Sequence, residues 1–354
     1  MSPSAICWAY KLPPIAMQPP THLDDLQQII SAVHISPDGQ ISFQGKPYQG
    51  YDYPEASVEA RIFHNLGNLL YSACYTRAGL QDKDKNLLGN PDSDMSFLSA
   101  LRDANASTEH YDCGWIVEEI EQTGSVIVRK GGNKRHTYAG DFIREHFGQG
   151  PLQRGEQVNL KVVAEYGADP QDRELFYHVF GKTLLDNNNS FLVRLYFHLS
   201  PEGAERLVAL ISRRLNDFSI PFQFKCINHP DFFTRCDTAV LYIDKRYFEV
   251  VTELLAEGYP DLRPYLKNDL PMFTKVLAPG IGFAENPFSS SESFGTSRCK
   301  IIAQGIVNAW KSGYGKEVWQ DFILQNLQKH FLRPDALHLN PNSGYPYQSP
   351  VFEN

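Results

Sequence analysis

The sequence predicts an α+β fold, with a mixed, largely antiparallel sheet, flanking helices and a smaller, mostly helical N-terminal portion. Residues 193–199 and 222–226 alternate apolar and polar side chains. This is typical of half-buried strands, because successive strand side chains point to opposite faces. Residues 201–215 have apolar side chains at helical spacing, which predicts an amphipathic helix. Strands and helices do not alternate strictly along the chain, which argues against a doubly wound sheet.

The elements before residue 150 are predicted from turn and helix-start signals. Residues 1–21 contain five prolines and are expected to be extended. Apolar spacing predicts helices at 23–33 and from Val58 to Leu70. The remaining predictions here are a polar loop at 81–95, a short helix at 95–102, a hairpin at 114–128 that turns at Thr123-Gly124, and a basic, glycine-containing loop at 131–136.

A boundary is predicted near residues 145–156, where glycine and proline cluster. It divides the chain into an extended segment (1–21), an α+β portion (22–150), an α+β domain (151–332) and an irregular tail (333–354). The other elements predicted after the boundary are strands at 158–165 and 238–243, an apolar piece at 176–180 before an Asn187–Asn189 loop, a helix from Lys245 that ends at Gly258 and Pro260, and helices at 297–312 and 317–331.

Composition limits the class of protein. The 354 residues are 42% hydrophobic and 21% charged, as in ordinary globular chains. The net charge of −8 argues against broad binding to nucleic acid or anionic membranes, which needs an excess of Lys and Arg. Any anion site must therefore be a local basic pocket in an acidic protein.

The cysteines and the N-terminus favour a cytoplasmic protein. The six cysteines are scattered without metal-ligand spacing, so no zinc site or other cofactor is expected, and most are expected to be reduced and buried. The first residues lack the basic and apolar regions of a signal peptide. No run approaches the ~18 apolar residues of a membrane span, so no membrane partner is expected.

The alternating runs also predict a chemical surface. Arg194, Tyr196 and His198 would share one face of the first strand, and Lys225 would point away from the core in the second. If the two strands are neighbours, one surface carries a proton donor, a possible base and a fixed cation. Such a surface suits a phosphorylated substrate, because phosphate sites need several cations and Arg binds phosphate bidentately.

Each of these residues also has a structural interpretation. A His on a strand can be held by hydrogen bonds, and a Lys at a strand end can be solvated. Arg235 can form a local ion pair with Asp237, and Gly280 and Gly282 can serve a turn. The functional interpretation depends on the convergence of several segments.

Five short strings in the second half of the chain stand out. They are Arg-Leu-Tyr-Phe-His-Leu (194–199), Pro-Phe-Gln-Phe-Lys (221–225), Arg-Cys-Asp-Thr-Ala-Val-Leu-Tyr (235–242), Thr-Lys-Val-Leu-Ala-Pro-Gly-Ile-Gly (274–282) and Glu-Ser-Phe-Gly-Thr-Ser-Arg-Cys (292–299). These strings resemble the HopA family of bacterial type III effectors and related proteins from biosynthetic clusters for modified peptides such as lanthipeptides and thioamitides. The resemblance is firm over about 190–310 and extends in layout over 22–180.

The family is in turn distantly similar to phosphothreonine lyases, which remove phosphate by metal-independent β-elimination and leave a dehydroamino acid. The resemblance implies that Lys225 is the base and His198 the acid. The lyases have a Lys two positions before the His, whereas this chain has Tyr196 there and Arg194 two positions earlier. The other residues implied are the phosphate ligands Arg235, Lys275 and Arg298, and Tyr242 as a residue that orients the site.

The implied chemistry sets a requirement on Lys225. A Lys base must be neutral, and lowering its pKa from about 10.4 to near 7 costs about 4 kcal/mol. Nearby Arg charges and partial burial act in that direction. A His, with an ordinary pKa of about 6.5, suits protonation of the departing oxygen.

The expected function is therefore a phosphoserine/phosphothreonine lyase acting on a precursor peptide. A separate kinase-like partner must phosphorylate the peptide, because the sequence contains no P-loop or kinase catalytic loop. The 22–150 portion would bind the leader peptide or the kinase.

The first alternative is a non-catalytic HopA-like effector, secreted into a host cell, or a phosphopeptide-binding module, which Tyr196 favours. A third interpretation is a structural or toxin–chaperone role in which the basic face binds a partner.

Overall fold

The computed structural model describes residues 22–79, 95–145, 150–167, 174–186, 191–289 and 292–353. The predicted extended segment 1–21, nearly all of the predicted 81–95 loop and the Asn187–Asn189 loop lie outside the described residues. The predicted α+β class is confirmed: helices pack against sheets in which every strand pair is antiparallel.

The first elements form a small sheet with two helices. They are α1 (His22–Ala32), β1 (Val33–Ile35), β2 (Ile41–Phe43), β3 (Lys46–Pro47) and α2 (Val58–Leu69). Helix α2 begins at a cap in which the Ser57 side chain accepts a hydrogen bond from the Ala60 amide. It continues as a π-helical turn, Leu70–Tyr75. Turns of this kind are frequent at functional sites.

A five-stranded sheet follows helix α3 (Met95–Ala104). The prediction of a loop at 131–136 is wrong. Only Gly131 and Gly132 turn the chain, and the basic residues after them form a strand that pairs with its predecessor. The positive φ of Gly131 (57°) makes so tight a turn favourable. The strands of the sheet are, along the chain, β4 (His110–Ile120), β5 (Val126–Lys130), β6 (Asn133–Thr137), β7 (Phe142–Arg144) and β8 (Gln157–Val162). They lie side by side in the order β6-β5-β4-β8-β7.

The predicted boundary at residue 150 lies inside this sheet, because β7 and β8 pair across it. The chain then passes from β8 directly into a larger, seven-stranded sheet. That sheet has the order β14-β15-β11-β13-β12-β10-β9. Its strands and the helices around it are β9 (Glu165–Tyr166), β10 (Phe176–Phe180), β11 (Leu192–Phe197), α4 (Pro201–Asp217), β12 (Phe222–Ile227), β13 (Ala239–Asp244), α5 (Phe248–Leu262), β14 (Lys275–Ala278), β15 (Ile281–Glu285), α6 (Phe294–Lys311) and α7 (Trp319–Lys329).

Helix α5 does not end at Gly258 and Pro260 as predicted; it runs through both to Leu262. Packing favours glycine at position 258, because a Cβ there would lie 2.7 Å from a methyl carbon of Leu210 on α4, which would have to shift. The glycine therefore allows α4 and α5 to approach closely and does not stop the helix.

Helices cover both faces of the seven-stranded sheet. One face packs on α4 and α5 in a mostly apolar core. The other face shares a second core with α1, α2, α6 and α7, so the N-terminal helices pack on the C-terminal ones. All six residues of β11 are buried, and the prediction of a half-buried strand is wrong because helices cover the polar face as well. Every helix among the described residues is too short or too polar to cross a bilayer.

Candidate functional site

Three central strands align the candidate residues in two rows. Strand β13 lies between β11 and β12, so the two predicted strands are not direct neighbours. Arg194 pairs with Tyr242, and Tyr242 pairs with Gln223. In the next row, Val240 pairs with Tyr196 on one side and with Lys225 on the other. Because directly opposed residues share a face, both rows lie on the face that is covered by α2 and α6.

His198 lies just beyond β11 on the same side. It follows Phe197, whose side chain belongs to the apolar core on the α4–α5 face, so alternation turns His198 to the opposite face. Its Nδ1 lies 2.7 Å from the carbonyl oxygen of Asp269, which fixes the ring. Burial lowers the pKa of His198 below its ordinary value, while the hydrogen bond to Asp269 opposes this shift.

Lys225 lies in an aromatic setting. Its Nζ is 4.2 Å from the ring centroid of Phe176, which is a cation–π contact. His178, on the neighbouring strand β10, pairs directly with Lys225. Burial and the charge of Lys225 lower the pKa of His178 to about 4, so this imidazole is neutral at pH 7.

Arg235 adds another cation to the group of candidate residues, just before β13 begins. Its guanidinium binds the Asp237 carboxylate bidentately, and its Nη2 donates to the Tyr71 hydroxyl at 3.2 Å. The guanidinium carbon lies 5.8 Å from the centroid of the Phe176 ring, which also contacts Lys225. Burial opposes the charged form, but the Asp237 charge raises the pKa of Arg235 above its ordinary value.

Arg194 is nine-tenths buried in the middle of the sheet. Its Nε donates to Asn286 Oδ1 at 2.6 Å, and its guanidinium carbon lies 5.1 Å from the centroid of the Tyr242 ring. Burial raises the pKa of Tyr242, but the positive charges of Lys225 and Arg194 outweigh it and lower the pKa overall. Tyr242 is thus held between two cations.

Tyr196 is the buried residue that stands where the lyases have a Lys. Its side chain is 1% exposed, and its hydroxyl has no hydrogen-bond partner among the described residues, although Arg194 and Tyr75 lie beside it. Burial raises its pKa to about 12. An unpaired buried hydroxyl costs about 1–3 kcal/mol, which a bound ligand could offset.

The π-helical turn after α2 covers this group. Its Tyr71 and Tyr75 rings stack with centroids 5.4 Å apart. The backbone joins the turn to the sheet, because the Cys236 amide donates to the Thr76 carbonyl at 2.8 Å. Arg235 connects the turn with the Asp237 carboxylate, because its guanidinium binds Asp237 and also donates to the Tyr71 hydroxyl.

Two predicted ligands lie elsewhere. Lys275 pairs with Phe283, whose side chain packs in the core on the α4–α5 face, so Lys275 lies on the opposite face from Lys225. Arg298 on α6 is 3% exposed and donates to the carbonyl oxygens of Leu337 and Leu339, at 2.9 Å each. Arg298 therefore holds the segment around Leu337 and Leu339 against α6.

Several residues near Lys225 were not predicted from the sequence. His178 falls in the segment that was interpreted only as an apolar piece, although it opposes Lys225 directly. Alternation within 176–180 could have placed it on the site face. Tyr71 and Tyr75 could not have been found, since a tertiary contact brings them to the sheet. Within the described residues, no group of three or more His, Cys, Asp or Glu side chains could hold a metal ion.

Comparison with known proteins supports the predicted resemblance. Residues 168–339, which contain every candidate residue, match the sequence model of the HopA1 effector protein family. The predicted similarity to this family is confirmed over that range.

Two solved structures are similar at low identity. The effector protein from Pseudomonas syringae pv. tomato strain DC3000 aligns over 80% of this chain and 98% of its own length, with 14% identity and a TM-score of 0.44. The effector protein from Pseudomonas syringae pv. syringae strain 61 aligns over the same shares, with 12% identity and a TM-score of 0.38. No curated protein matches the sequence.

Proposed function

We propose that this chain, whose residues 168–339 match the sequence model of the HopA1 effector protein family, is a phosphothreonine/phosphoserine lyase that acts on a phosphorylated peptide. The observation that carries the proposal is the register of three adjacent strands. Lys225 lies in the row of Tyr196, and His198 lies two residues further along the same face. From strand spacing and rise, their Cα atoms are roughly 12 Å apart, a gap that one phosphorylated residue can bridge.

In the proposed reaction, neutral Lys225 takes the proton from Cα of the phosphorylated residue. The electron pair forms the Cα–Cβ double bond, and the Cβ–O bond breaks with its electrons going to phosphate. Protonated His198 gives its proton to the bridging oxygen, so the products are a dehydroamino acid and hydrogen phosphate. General acid and base groups of this kind contribute about 10²- to 10⁴-fold each.

The cations of the cluster suit the phosphate. Arg235 offers a planar fork at the edge of the site, and Arg194 supplies a buried positive charge. Fixed donors stabilise the charge that gathers on phosphate as the bond breaks. In the proposed complex, the Tyr196 hydroxyl, which lies beside Arg194, would donate to a phosphate oxygen.

The biological setting is part of the proposal. A kinase-like partner would supply the phosphorylated peptide, and in a peptide-biosynthesis cluster that peptide would be a precursor bound through its leader. The family name also fits an effector that is secreted into a host cell.

One observation favours a second function, phosphopeptide binding without elimination. The Arg235 fork is already occupied by Asp237, and phosphate would have to displace that carboxylate or share the guanidinium with it. A binding module would tolerate such competition, whereas a fast enzyme would suffer from it. The two functions differ in whether phosphate is released.

The test is to follow inorganic phosphate release from a phosphothreonine peptide, together with binding of the same peptide by fluorescence anisotropy. We expect release by the wild type and its loss in Lys225→Ala and in His198→Ala. Lys245→Ala is the matched control, because Lys245 also lies over aromatic rings, 5.2 and 5.4 Å from their centroids, but outside the cluster. Tight binding without release would favour the binding module, and equal release by all variants would contradict the proposed roles.

A further inference from the structure

A cavity of about 230 Å³ lies where the five-stranded sheet meets the seven-stranded sheet. The chain crosses between the sheets here, from β8 into β9. The walls come from both sheets and from the loop after β10, and most of them are apolar. They are formed by Val162, Val163, Phe180, Leu184, Leu185 and Phe222, together with Gly181, Lys161, Arg135 and Gln223.

The cavity borders the candidate site. Gln223 lines it and lies two residues before Lys225 on β12, so both side chains are on the same face, roughly 7 Å apart along the strand. Phe180, which pairs with Gln223, lines the cavity, and His178 pairs with Lys225 in the next row of the same two strands. A peptide whose phosphorylated residue lies at Lys225 would therefore bring a neighbouring side chain to the cavity.

Arg135 gives the cavity its charge. It pairs with Val128, whose side chain is in the core of the five-stranded sheet, so Arg135 lies on the core-facing side of the edge strand β6. Its guanidinium carbon is 5.9 Å from the centroid of the Trp115 ring, and Nη2 donates to the Leu185 carbonyl oxygen at 3.3 Å.

Among the described residues, Arg135 forms no ion pair, whereas the other cation that lines the cavity, Lys161, is paired with Glu109 at 3.0 Å. The charges of Asp112 and Asp186 act on Arg135 only as smaller influences, and burial lowers its pKa. A half-buried guanidinium without a carboxylate partner is a ready recognition site for an anion, since Arg binds carboxylates bidentately.

We propose that this cavity is a specificity pocket that binds the side chain of a Glu or Asp one or two residues away from the phosphorylated residue of the peptide substrate. The apolar walls would hold the methylene stem, and Arg135 would bind the carboxylate. The volume suits a single side chain. This inference rests on the proposed function insofar as the ligand is a phosphorylated peptide.

The experiment uses alanine-based peptides with a central phosphothreonine and a single Glu, placed in turn at each of the two positions on either side. Matched peptides carry Gln or Lys at the same place. Turnover is measured as phosphate release. Binding is measured by anisotropy with labelled versions that carry the phosphonate analogue, whose carbon–phosphorus bond blocks elimination. The proteins are the wild type, Arg135→Gln, Arg135→Glu and Arg135→Lys.

We expect the wild type to bind the Glu peptide at least about tenfold more tightly than the Gln peptide at one position, as for a charge-assisted hydrogen bond. Arg135→Gln should lose this preference, Arg135→Glu should transfer it to the Lys peptide, and Arg135→Lys should keep part of it. Arg129→Gln is the matched control. It removes a charge from the same hairpin, at a residue that pairs with Glu118 on the opposite side of the sheet.

The outcomes separate the two proposals. A Glu preference in binding that depends on Arg135 supports the pocket even if no phosphate is released, and only the lyase function then fails. Phosphate release with equal use of Glu and Gln peptides at every position overturns the pocket and leaves the lyase function standing. A Glu preference that persists in Arg135→Gln, or an absence of peptide binding altogether, also overturns it. Thermal melting identifies any variant that fails to fold, and Arg135→Lys then provides the comparison.

Discussion

The two faces of the seven-stranded sheet are built from alternate residues of the same strands, yet they differ in chemistry. On the α4–α5 face, residues such as Leu195, Leu241 and Phe224 form a mostly apolar core. On the other face, Arg194, Tyr196 and their neighbours bury charge and hydroxyl groups beneath a second layer of helices. Buried polar groups cost stability unless they are paired. One face therefore serves mainly the stability of the sheet, whereas the polar face is the better candidate for function.

The largest expected effect is on the polar face. Lys225→Ala should lower turnover of a phosphothreonine peptide by about 10²- to 10⁴-fold, because the proton acceptor is lost. The melting temperature should change little, since Lys225 is only half-buried. Steady-state kinetics and thermal melting measure both quantities. A variant that keeps its turnover would break the assignment of function to this face.

The reverse behaviour is expected on the apolar face. Leu241→Ala should lower the free energy of unfolding by about 2–5 kcal/mol, because Leu241 is fully buried and its truncation leaves a cavity. Turnover per folded molecule should be unchanged. Chemical denaturation and activity assays at low temperature test this. A loss of turnover without a loss of stability would mean that the two faces are not separable.

A third prediction distinguishes two arginines that the family motifs suggested alike. Arg235→Lys should raise KM about tenfold, because Lys lacks the planar group that binds Asp237 and, in the proposed complex, shares its donors with phosphate. Arg298→Lys should leave KM unchanged and lower stability, because Arg298 binds the carbonyl oxygens of Leu337 and Leu339. Kinetics with one phosphopeptide and melting curves for both variants provide the comparison. Equal changes of KM in the two variants would show that Arg298 also belongs to the substrate site.

The pH profile gives a smaller effect. Burial places the pKa of His198 below its ordinary value of about 6.5. The fraction of protonated His198 falls about tenfold per pH unit above this pKa, so the plot of log(kcat/KM) against pH should bend downward below about pH 6.5. In His198→Gln, this bend should be absent. A His198-dependent bend above pH 7 would contradict the lowered pKa of His198.

The smallest expected effect concerns Tyr196. Tyr196→Phe should stabilise the free protein by up to about 1 kcal/mol, because the buried hydroxyl has no partner among the described residues. If the hydroxyl binds phosphate, the same variant should raise KM for the peptide a few-fold. Denaturation and kinetics measure the two effects. A destabilised variant would show that the hydroxyl has a partner in solution.

The sequence predicted which residues of a strand share a face, but not which strands are neighbours in the sheet. Alternation separated Leu195 from Arg194 and Tyr196 because the period of a strand is two. It could not reveal that β13 separates β11 from β12, since strand order depends on contacts distant in sequence. For the same reason it could not foresee the helices that bury β11 on both faces.

Motif-based expectations were weakest where long-range packing decides the role of a residue. Arg298 lies in a family-like string, but its partners are backbone carbonyls about 40 residues further along, at Leu337 and Leu339. Gly258 was interpreted as a helix stop, whereas its role is to accommodate Leu210 of another helix. Arg135, which lines the cavity, lies in a segment that was predicted to be a loop but forms strand β6.

The mass of a phosphothreonine peptide after incubation with the wild-type protein tests the central claim most directly. If Lys225 and His198 act together on one residue, the product will have lost phosphoric acid and will carry a dehydroamino acid, and Lys225→Ala will leave the peptide intact. Recovery of unmodified threonine would mean hydrolysis, and an unchanged peptide would mean binding alone. Either result would contradict elimination at this face of the sheet.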